Sequence, residues 1–147
     1  MTTAWKLLLS KELKCAIGEL SLVHLLTETK LLYIPGAPEY CCHVFTWNDL
    51  MIPLIDLGQW ISESPSMDSY SYIAILAYQQ DENIVQYIGI KLTDLPVKVE
   101  VDNKQECPFP SNFENWKLVS LTSFLDSKQV FPILNLKKIN EEITHLK

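Results

Sequence analysis

The sequence predicts an all-β fold with only short helices, in which one structural plan occurs twice. A near copy of Met51–Leu57 recurs at Val130–Leu136, so that Pro53 and Pro132 lie 79 residues apart. A turn-forming pair precedes each copy. Apolar and charged residues also alternate along Val97–Val101, with the period of a half-buried strand. The repeat and the patterning together indicate a duplicated β protein with about ten strands.

Each copy of the repeat predicts a hairpin turn followed by an apolar strand. Asn48-Asp49 and Asp126-Ser127 are turn formers, because short polar side chains bond the local backbone and tolerate positive φ. Since proline donates no ladder hydrogen bond, each strand should lie at a sheet edge or bend at its proline. Asp56 corresponds to Asn135, an amide, which favours a hydrogen-bonding role at the strand end over acid catalysis.

The composition excludes several classes of function. The 147-residue chain has a net charge of −6, and all 12 of its Lys and Arg positions are lysine. Without an arginine cluster or a basic stripe, nucleic-acid binding is not expected. The longest apolar runs, Leu50–Leu57 and Ile73–Tyr78, are shorter than the ~20 residues that cross a bilayer, so no membrane insertion is expected.

The 4 cysteines predict reduced thiols in the cytoplasm, because they form no CxxC spacing and no secretory signal opens the chain. Cys41, Cys42 and His43 are adjacent, but neighbouring residues of a strand point to opposite faces. Only one of these two thiols is therefore expected to be buried. We expect no metal site and no cofactor.

In the first half, a hairpin leads to an ambiguous segment, a proline-rich corner and the repeated strand. The apolar positions of Leu20–Leu26 fit a helix or a strand equally well. Pro35–Pro38 contains two prolines and a glycine and predicts a fixed corner. Strands are expected at Trp5–Ser10, Leu13–Ile17, Leu31–Ile34, Tyr40–Thr46 and Met51–Leu57.

The second half repeats this plan after a polar linker, Ser62–Ser69. A second corner is expected at Pro108–Asn112. Ile139, Ile143 and Leu146 share one face of a short docking helix over residues 137–147. Strands are expected at Tyr72–Tyr78, Ile84–Leu92, Pro96–Val101, Trp116–Phe124 and Val130–Leu136.

The predicted organisation is a single domain over residues 1–147, made of two approximate sub-barrels, residues 1–66 and 67–147. Small barrels are the natural way for five short strands to hide their edges. The sequence leaves open whether a strand or the C-terminal helix exchanges between the two.

IPGAPEY at residues 34–40 and IPLIDL at residues 52–57 have a specific order and spacing. Together with weaker motifs elsewhere in the chain, they resemble the CheW-like domain of bacterial chemotaxis adaptors. The segments that carry the resemblance are Ala16-Ile17, Leu22, Ile34–Tyr40, Ile52–Leu57, Ile88–Ile90 and Phe131–Leu136. It covers nearly the whole chain, residues 5–143.

The resemblance implies two SH3-like, five-stranded β-barrels that share a hydrophobic seam, without catalytic chemistry. Members of the family couple the cytoplasmic tip of methyl-accepting chemoreceptors to the regulatory domain of a histidine kinase, in chemotaxis or in type IV pilus twitching systems. They bind the helical receptor tip in the groove between the barrels and the kinase at the outer edge of one barrel. The resemblance also implies a cytoplasmic protein that receptor arrays recruit to the inner membrane.

Six residues are predicted to contact these partners: Leu22, His24, Asn48, Asp49, Ile90 and Leu92. The turn pair Asn48-Asp49 would form one contact, and the other four residues would lie at the groove. No catalytic residue is expected, because no nucleophile, base or carboxylate pair has a motif context.

The chain departs from the family pattern where charges are usual. The hairpin that typically reads Asn-Leu-Arg-Gly is Thr46–Asp49 here, so the arginine and the glycine are missing. His24 replaces a glutamate, and Leu92-Thr93 replaces an aspartate. Because specificity depends on charge complementarity more than on contact area, these losses predict a divergent adaptor with altered partner choice.

A different class of function stays open, a peptide- or small-ligand-binding SH3-like module unrelated to chemosensing. Such a module predicts an enclosed pocket lined by tryptophans instead of an open groove. An enzyme is a third class, but the spacing of titratable residues gives no sign of a converging cleft.

Overall fold

The computed structural model describes residues 2–10, 13–62 and 70–145. This part of the chain contains strands β1 (Thr2–Leu8), β2 (Lys14–Gly18), β3 (Leu22–Leu26), β4 (Leu32–Tyr33), β5 (His43–Trp47), β6 (Leu50–Ile55), β7 (Tyr72–Asp81), β8 (Ile84–Leu92), β9 (Val97–Val101), β10 (Glu106–Cys107), β11 (Ser120–Asp126) and β12 (Gln129–Leu134). Its helices are α1 (Leu57–Ser62) and α2 (Leu136–His145). The predicted all-β class with short helices is confirmed.

Several segments take a local structure that the sequence did not settle or did not predict. The ambiguous segment Leu20–Leu26 begins in a 3-10 turn, Glu19–Ser21, and continues as β3. The strand expected from Trp116 begins only at Ser120, because a longer 3-10 turn, Ser111–Leu118, precedes it.

Helix α1 was missed, because only Leu57 and Ile61 of its six residues are buried and two positions show no helical period. Ser62, the last residue of α1, is the one residue of the predicted linker Ser62–Ser69 that the structure describes.

The strands form two six-stranded sheets. The terminal sheet has the order β10-β11-β12-β2-β1-β9, and the central sheet has the order β3-β7-β8-β6-β5-β4. The opening hairpin of each half therefore lies in the sheet of the other half. A hairpin of residues 1–66 and a hairpin of residues 67–147 are thus exchanged, and the sequence had left open whether a strand exchanges. Parallel pairing of β12 with β2 and of β6 with β8 joins strands from opposite halves.

Both repeated prolines lie inside their sheets and not at an edge. Pro53 pairs with Val44 of β5, and parallel pairing with β8 involves Leu54 and Ile55. Pro132 pairs with Ser123 of β11, and parallel pairing of β12 with β2 follows one residue later. A central strand tolerates the missing donor because the second ladder starts only after the proline.

The same turn joins the strands of both repeated hairpins. Asn48 and Asp49 have φ values of 50° and 63°, and Ser127 and Lys128 have values of 50° and 66°. Two consecutive positive φ angles match the type I′ turn that suits the right-handed twist of a hairpin. The second turn lies one residue later than Asp126-Ser127, where the sequence predicted it.

Three hydrogen bonds at the end of each repeated strand recur with the same spacing. The Asp56 backbone N–H donates to the Tyr40 carbonyl (2.8 Å), and the Asn135 N–H donates to the Val119 carbonyl (2.8 Å). Asp56 Oδ1 accepts from the N–H three residues on (3.0 Å), as Asn135 Oδ1 does (3.1 Å), and each backbone carbonyl accepts from the fourth residue. Both residues thus cap the helix that follows.

The core has one shared part and one smaller part inside each sheet. The shared cluster takes residues from both sheets and from α2, among them Leu7, Ile17, Leu76, Ile90 and Ile139. A second cluster, around Phe45, fills the central sheet, and a third, around Phe124 and Phe131, lies in the terminal sheet. The two sheets are therefore held together by a common apolar layer.

Candidate functional site

An open groove of about 370 Å³ lies between the terminal and central sheets. We call it the inter-sheet groove. Its wall includes Gly18, Ser21, Tyr78, Leu121, Leu134 and Lys137. Strand β2 and the β11–β12 hairpin contribute one side, and the end of β7 contributes the other. The groove is thus formed where the exchanged hairpins meet.

Leu121 gives this groove its most exposed apolar side chain. It is 69% exposed, although it lies in a strand between two hydroxyl residues. The pairing of β11 with β12 shifts between Ser120 and Thr122, and the buried Ser120 hydroxyl donates to the carbonyls of Ile133 and Thr122. Because such a bulge redirects one side chain, Leu121 points outward while Ser120 points inward.

Tyr78 lines the inter-sheet groove, but its hydroxyl oxygen is buried and has no hydrogen-bond partner in the described part of the chain. Burial raises the pKa of Tyr78, and the charge of Glu141 raises it further, so the hydroxyl stays protonated at neutral pH. An unpaired buried hydroxyl costs on the order of 1–3 kcal/mol.

A second exposed surface lies at the β5–β6 turn. We call it the hairpin end and define it by His24, Trp47, Asn48, Asp49 and Met51. The His24 and Trp47 rings stack with centroids 5.8 Å apart, and Trp47 meets Tyr87 edge-on at 5.6 Å. Both turn residues are exposed, and Met51 is 63% exposed. The stacked rings therefore fix His24 beside the turn.

The structure separates the six predicted contact residues into three groups. Ile90 and Leu92 are both 0% exposed in the shared core, so the prediction that they line an open groove is wrong. The terminal sheet covers this face of β8, and a single sequence does not show which face is covered. His24 was placed in the groove, but it lies at the hairpin end with Asn48 and Asp49.

Leu22 follows Ser21 of the groove wall and is half-buried against the shared core. A role for it, and for the hairpin residues, stays a prediction. Sequence reasoning missed Leu121 and Tyr78. The segment Ser120-Leu121-Thr122 contained the one usable signal for Leu121, an apolar residue between two hydroxyl residues, but a bulge cannot be recognised from that pattern alone.

Cys41 and Cys42 are both buried, contrary to the expectation that only one would be. They lie in and after a 3-10 turn, Glu39–Cys41, where strand alternation does not apply. Among the described residues, no cluster of three His, Cys, Asp or Glu side chains is arranged to hold a metal. No helix in the same residues is long and apolar enough to span a membrane.

The chain was compared with known families, curated proteins and solved structures. The model of the CheW-like domain matches residues 8–143. None of the curated proteins matches. A similar solved structure is the scaffolding protein TtCheW from Thermoanaerobacter tengcongensis, with a TM-score of 0.76 and 15% identity over 92% of this chain and 90% of that one. At that identity the likeness shows the fold, and the family match covers most of the sequence. The chain therefore belongs to the CheW-like domain family.

Proposed function

We propose that the chain is a non-enzymatic adaptor that couples chemoreceptors to a histidine kinase in a bacterial chemosensory complex, for chemotaxis or twitching motility. The observation that carries this proposal is the open inter-sheet groove, which has an outward-facing leucine at its wall. Its fold neighbour TtCheW is described as a scaffolding protein, which agrees with a role in assembly.

The groove would hold the helical cytoplasmic tip of a receptor. An amphipathic helix binds a groove through apolar side chains at spacings of three and four residues. Leu121 offers it an exposed apolar contact, and Tyr78 also lines the groove. Leu22, the first residue of β3, would border this contact next to Ser21 of the groove wall.

The hairpin end would contact the regulatory domain of the kinase. Asn48 and Asp49 occupy the positions where the family usually has arginine and glycine. Asp49 nevertheless adopts a positive φ, 63°, which is the conformation that favours glycine. The turn shape is thus retained while its charge changes from positive to negative. A kinase partner with a cationic edge would match this surface.

Binding of the receptor tip tests the groove. Leu121→Asp should weaken binding of the receptor tip from the same cell by about tenfold or more, since it buries a charge against an apolar helix. The matched control is Leu95→Asp, an exposed leucine (51%) outside the groove, which should leave binding unchanged. Calorimetry or a pull-down measures both. If the wild-type chain binds neither the receptor tip nor the kinase domain, the adaptor role is refuted.

Binding of the kinase domain tests the hairpin end separately. Asp49→Lys reverses the charge of the turn and should weaken kinase binding while receptor binding stays unchanged. Lysine fits this backbone, because Lys128 adopts φ of 66° at the corresponding position of the other hairpin. The control Lys128→Asp should affect neither partner. An equal loss of kinase binding for both variants would contradict a contact that is specific to the hairpin end.

The alternative, a ligand-binding SH3-like module without a chemosensory role, predicted a pocket lined by tryptophans. None of the residues that line the inter-sheet groove is a tryptophan. The adaptor is therefore the better-supported function, and the proposed location is the cytoplasm, at receptor arrays on the inner membrane.

A further inference from the structure

The four edge strands of the two sheets differ in their regularity. A sheet edge exposes backbone N–H and C=O groups that can pair with a further strand. Strands β4 and β10 have only two residues each, and the pairing of β3 with β7 shifts between Leu22 and His24. Strand β9 has five residues and pairs with β1 without a shift. In the described part of the chain, β9 is therefore the longest regular edge.

The outward side of β9 is accessible and has no partner strand among the described residues. The strand pairs with β1 alone, on its other side. Val97, Lys98 and Glu100 are exposed, and the exposed fraction of Val97 is 60%. Pro96, which has no N–H, precedes the strand, and Asp102 after it caps a 3-10 turn. An added strand would therefore pair with these five residues and stop.

The side chains of β9 divide into an apolar face and a charged face. Val99 and Val101 pack against the third core cluster, inside the terminal sheet. Val97 continues this row where the cluster no longer covers it. Lys98 and Glu100 lie on the opposite face, because successive side chains of a strand alternate. The strand thus has an incomplete apolar row on one face and two opposite charges on the other.

The two charges of this strand differ in their surroundings. The Lys98 ammonium lies 3.1 Å from a Glu19 carboxylate oxygen and 5.3 Å from the centre of the Trp5 ring, and its side chain is still 54% exposed. Glu100 takes part in none of the ion pairs of the described residues. An ammonium group has three donors, so Lys98 can bind a second carboxylate. The Glu100 carboxylate is likewise open to a cation from outside.

A second copy of β9 matches this edge in one register. When a two-fold axis perpendicular to the sheet relates two antiparallel strands, opposite residues share a face, so the axis passes through one residue position. With the axis at Val99, Val97 lies opposite Val101 of the second copy, and Lys98 lies opposite its Glu100. An axis at Lys98 or at Glu100 would place like charges opposite each other, which is destabilising. An axis at either end of the strand would leave most of it unpaired.

We infer that β9 binds a second copy of this chain by antiparallel pairing about Val99, which joins two terminal sheets edge to edge. Val101 of the second copy would cover the exposed Val97. The charged face would form two Lys98–Glu100 pairs, because the symmetry repeats each contact. This contact is smaller than the ~1,200–2,000 Å² of standard interfaces, so the dimer should be weak, with a Kd on the order of 100 μM. No residue of β9 lines the inter-sheet groove, so the inference does not depend on the adaptor role.

Sedimentation equilibrium of the full chain between ~10 μM and ~1 mM tests the inference. The average mass should rise from 16.9 kDa toward twice that value. In NMR spectra over the same range, the backbone amides of Lys98 and Glu100 should shift with concentration, while that of Leu32, on the β4 edge, should not. A monomer at every concentration would overturn the inference. Shifts confined to other surfaces would do the same.

A charge reversal tests the register. Glu100→Lys places a lysine opposite Lys98 twice in the symmetric contact and should weaken dimerisation about tenfold or more. It also reduces the net charge of −6, which by itself would favour association, so weakening cannot come from net charge. The matched control is Glu28→Lys, the same change at an exposed position outside β9, which should not weaken the dimer. A Glu100→Lys dimer as stable as the wild type would overturn the assignment.

A mixture of two variants tests the pairing directly. Lys98→Glu places a carboxylate opposite Glu100 and should also weaken self-association. Mixed with the Glu100→Lys chain, it again gives opposite charges in both pairs, so a heterodimer should form with about the wild-type affinity. Lys98→Glu also removes the bridge to Glu19, so its melting temperature is measured first. If it does not fold, Glu100→Lys still decides, because that variant keeps the bridge. Folded variants that do not associate when mixed would overturn the register.

Discussion

At close contacts in the core, the fold tolerates only one type of residue. Gly89 of β8 faces the Phe45 ring on the inner face of the central sheet. A Cβ atom at position 89 would lie 2.6 and 2.8 Å from two carbons of that ring. No ordinary side-chain contact is so short, so only glycine fits without movement of the phenylalanine.

Gly89→Ala should therefore lower the free energy of unfolding by about 1–3 kcal/mol, the usual cost of overpacking a core. Gly18→Ala is the matched control, because a Cβ there meets only the Ser21 hydroxyl oxygen, at 4.0 Å. Urea denaturation measures both. A change for Gly89→Ala no larger than that of the control would show that Phe45 relaxes freely.

The role of a single residue was predicted correctly only where that residue interacts with its near neighbours along the chain. The equivalence of Asp56 and Asn135 correctly indicated a hydrogen-bonding role, since a cap bonds backbone three residues away. The exposure of Ile90 and Leu92 was predicted wrongly, because it depends on strands that are distant in the sequence.

At the scale of elements, the caps of the two repeats differ in charge. Asp56 Oδ2 lies 4.0 Å from the Lys91 ammonium, and each of these side chains is 15% exposed. Asn135 caps α2 with a neutral side chain. Asp56 therefore caps α1 and also attracts Lys91 of β8 electrostatically.

Removal of either cap, by Asp56→Ala or Asn135→Ala, should lower the free energy of unfolding by about 1 kcal/mol. Asp56→Asn should cost less than Asp56→Ala, because it keeps the capping oxygen and loses only the attraction to Lys91. Asn135→Asp is the reciprocal control and should be nearly neutral, since an anion also suits a helix start. Thermal and urea unfolding compare the four variants. Equal losses for Asn and Ala at position 56 would contradict a capping role.

At the scale of the whole molecule, the exchange of hairpins makes each half depend on the other. Strands β3–β6 need β7 and β8 to complete the central sheet, and β9–β12 need β1 and β2 to complete the terminal sheet. The shared core likewise contains residues from both halves. Neither half can bury its apolar strands alone.

Fragments 1–66 and 67–147 should each lack cooperative unfolding when they are expressed separately, and their mixture should recover the native β-sheet signal. Circular dichroism and amide proton dispersion in NMR spectra make the comparison, with the intact chain as the reference. Cooperative unfolding of either fragment alone would contradict the interdependence of the halves.

Local sequence was enough to predict the features that depend on near neighbours: the hairpins, the hydrogen-bonding role at the strand ends, the β class and the motifs of the family. Turn and cap preferences act over a few residues, so they can be read locally. Contacts between distant segments set which hairpin joins which sheet, which faces are covered, and where Leu121 borders the open groove. These features depend on contacts between segments that are far apart in the sequence, as Lys6 and Asp126 are. The pattern of residues within one segment does not show which distant segment it will contact.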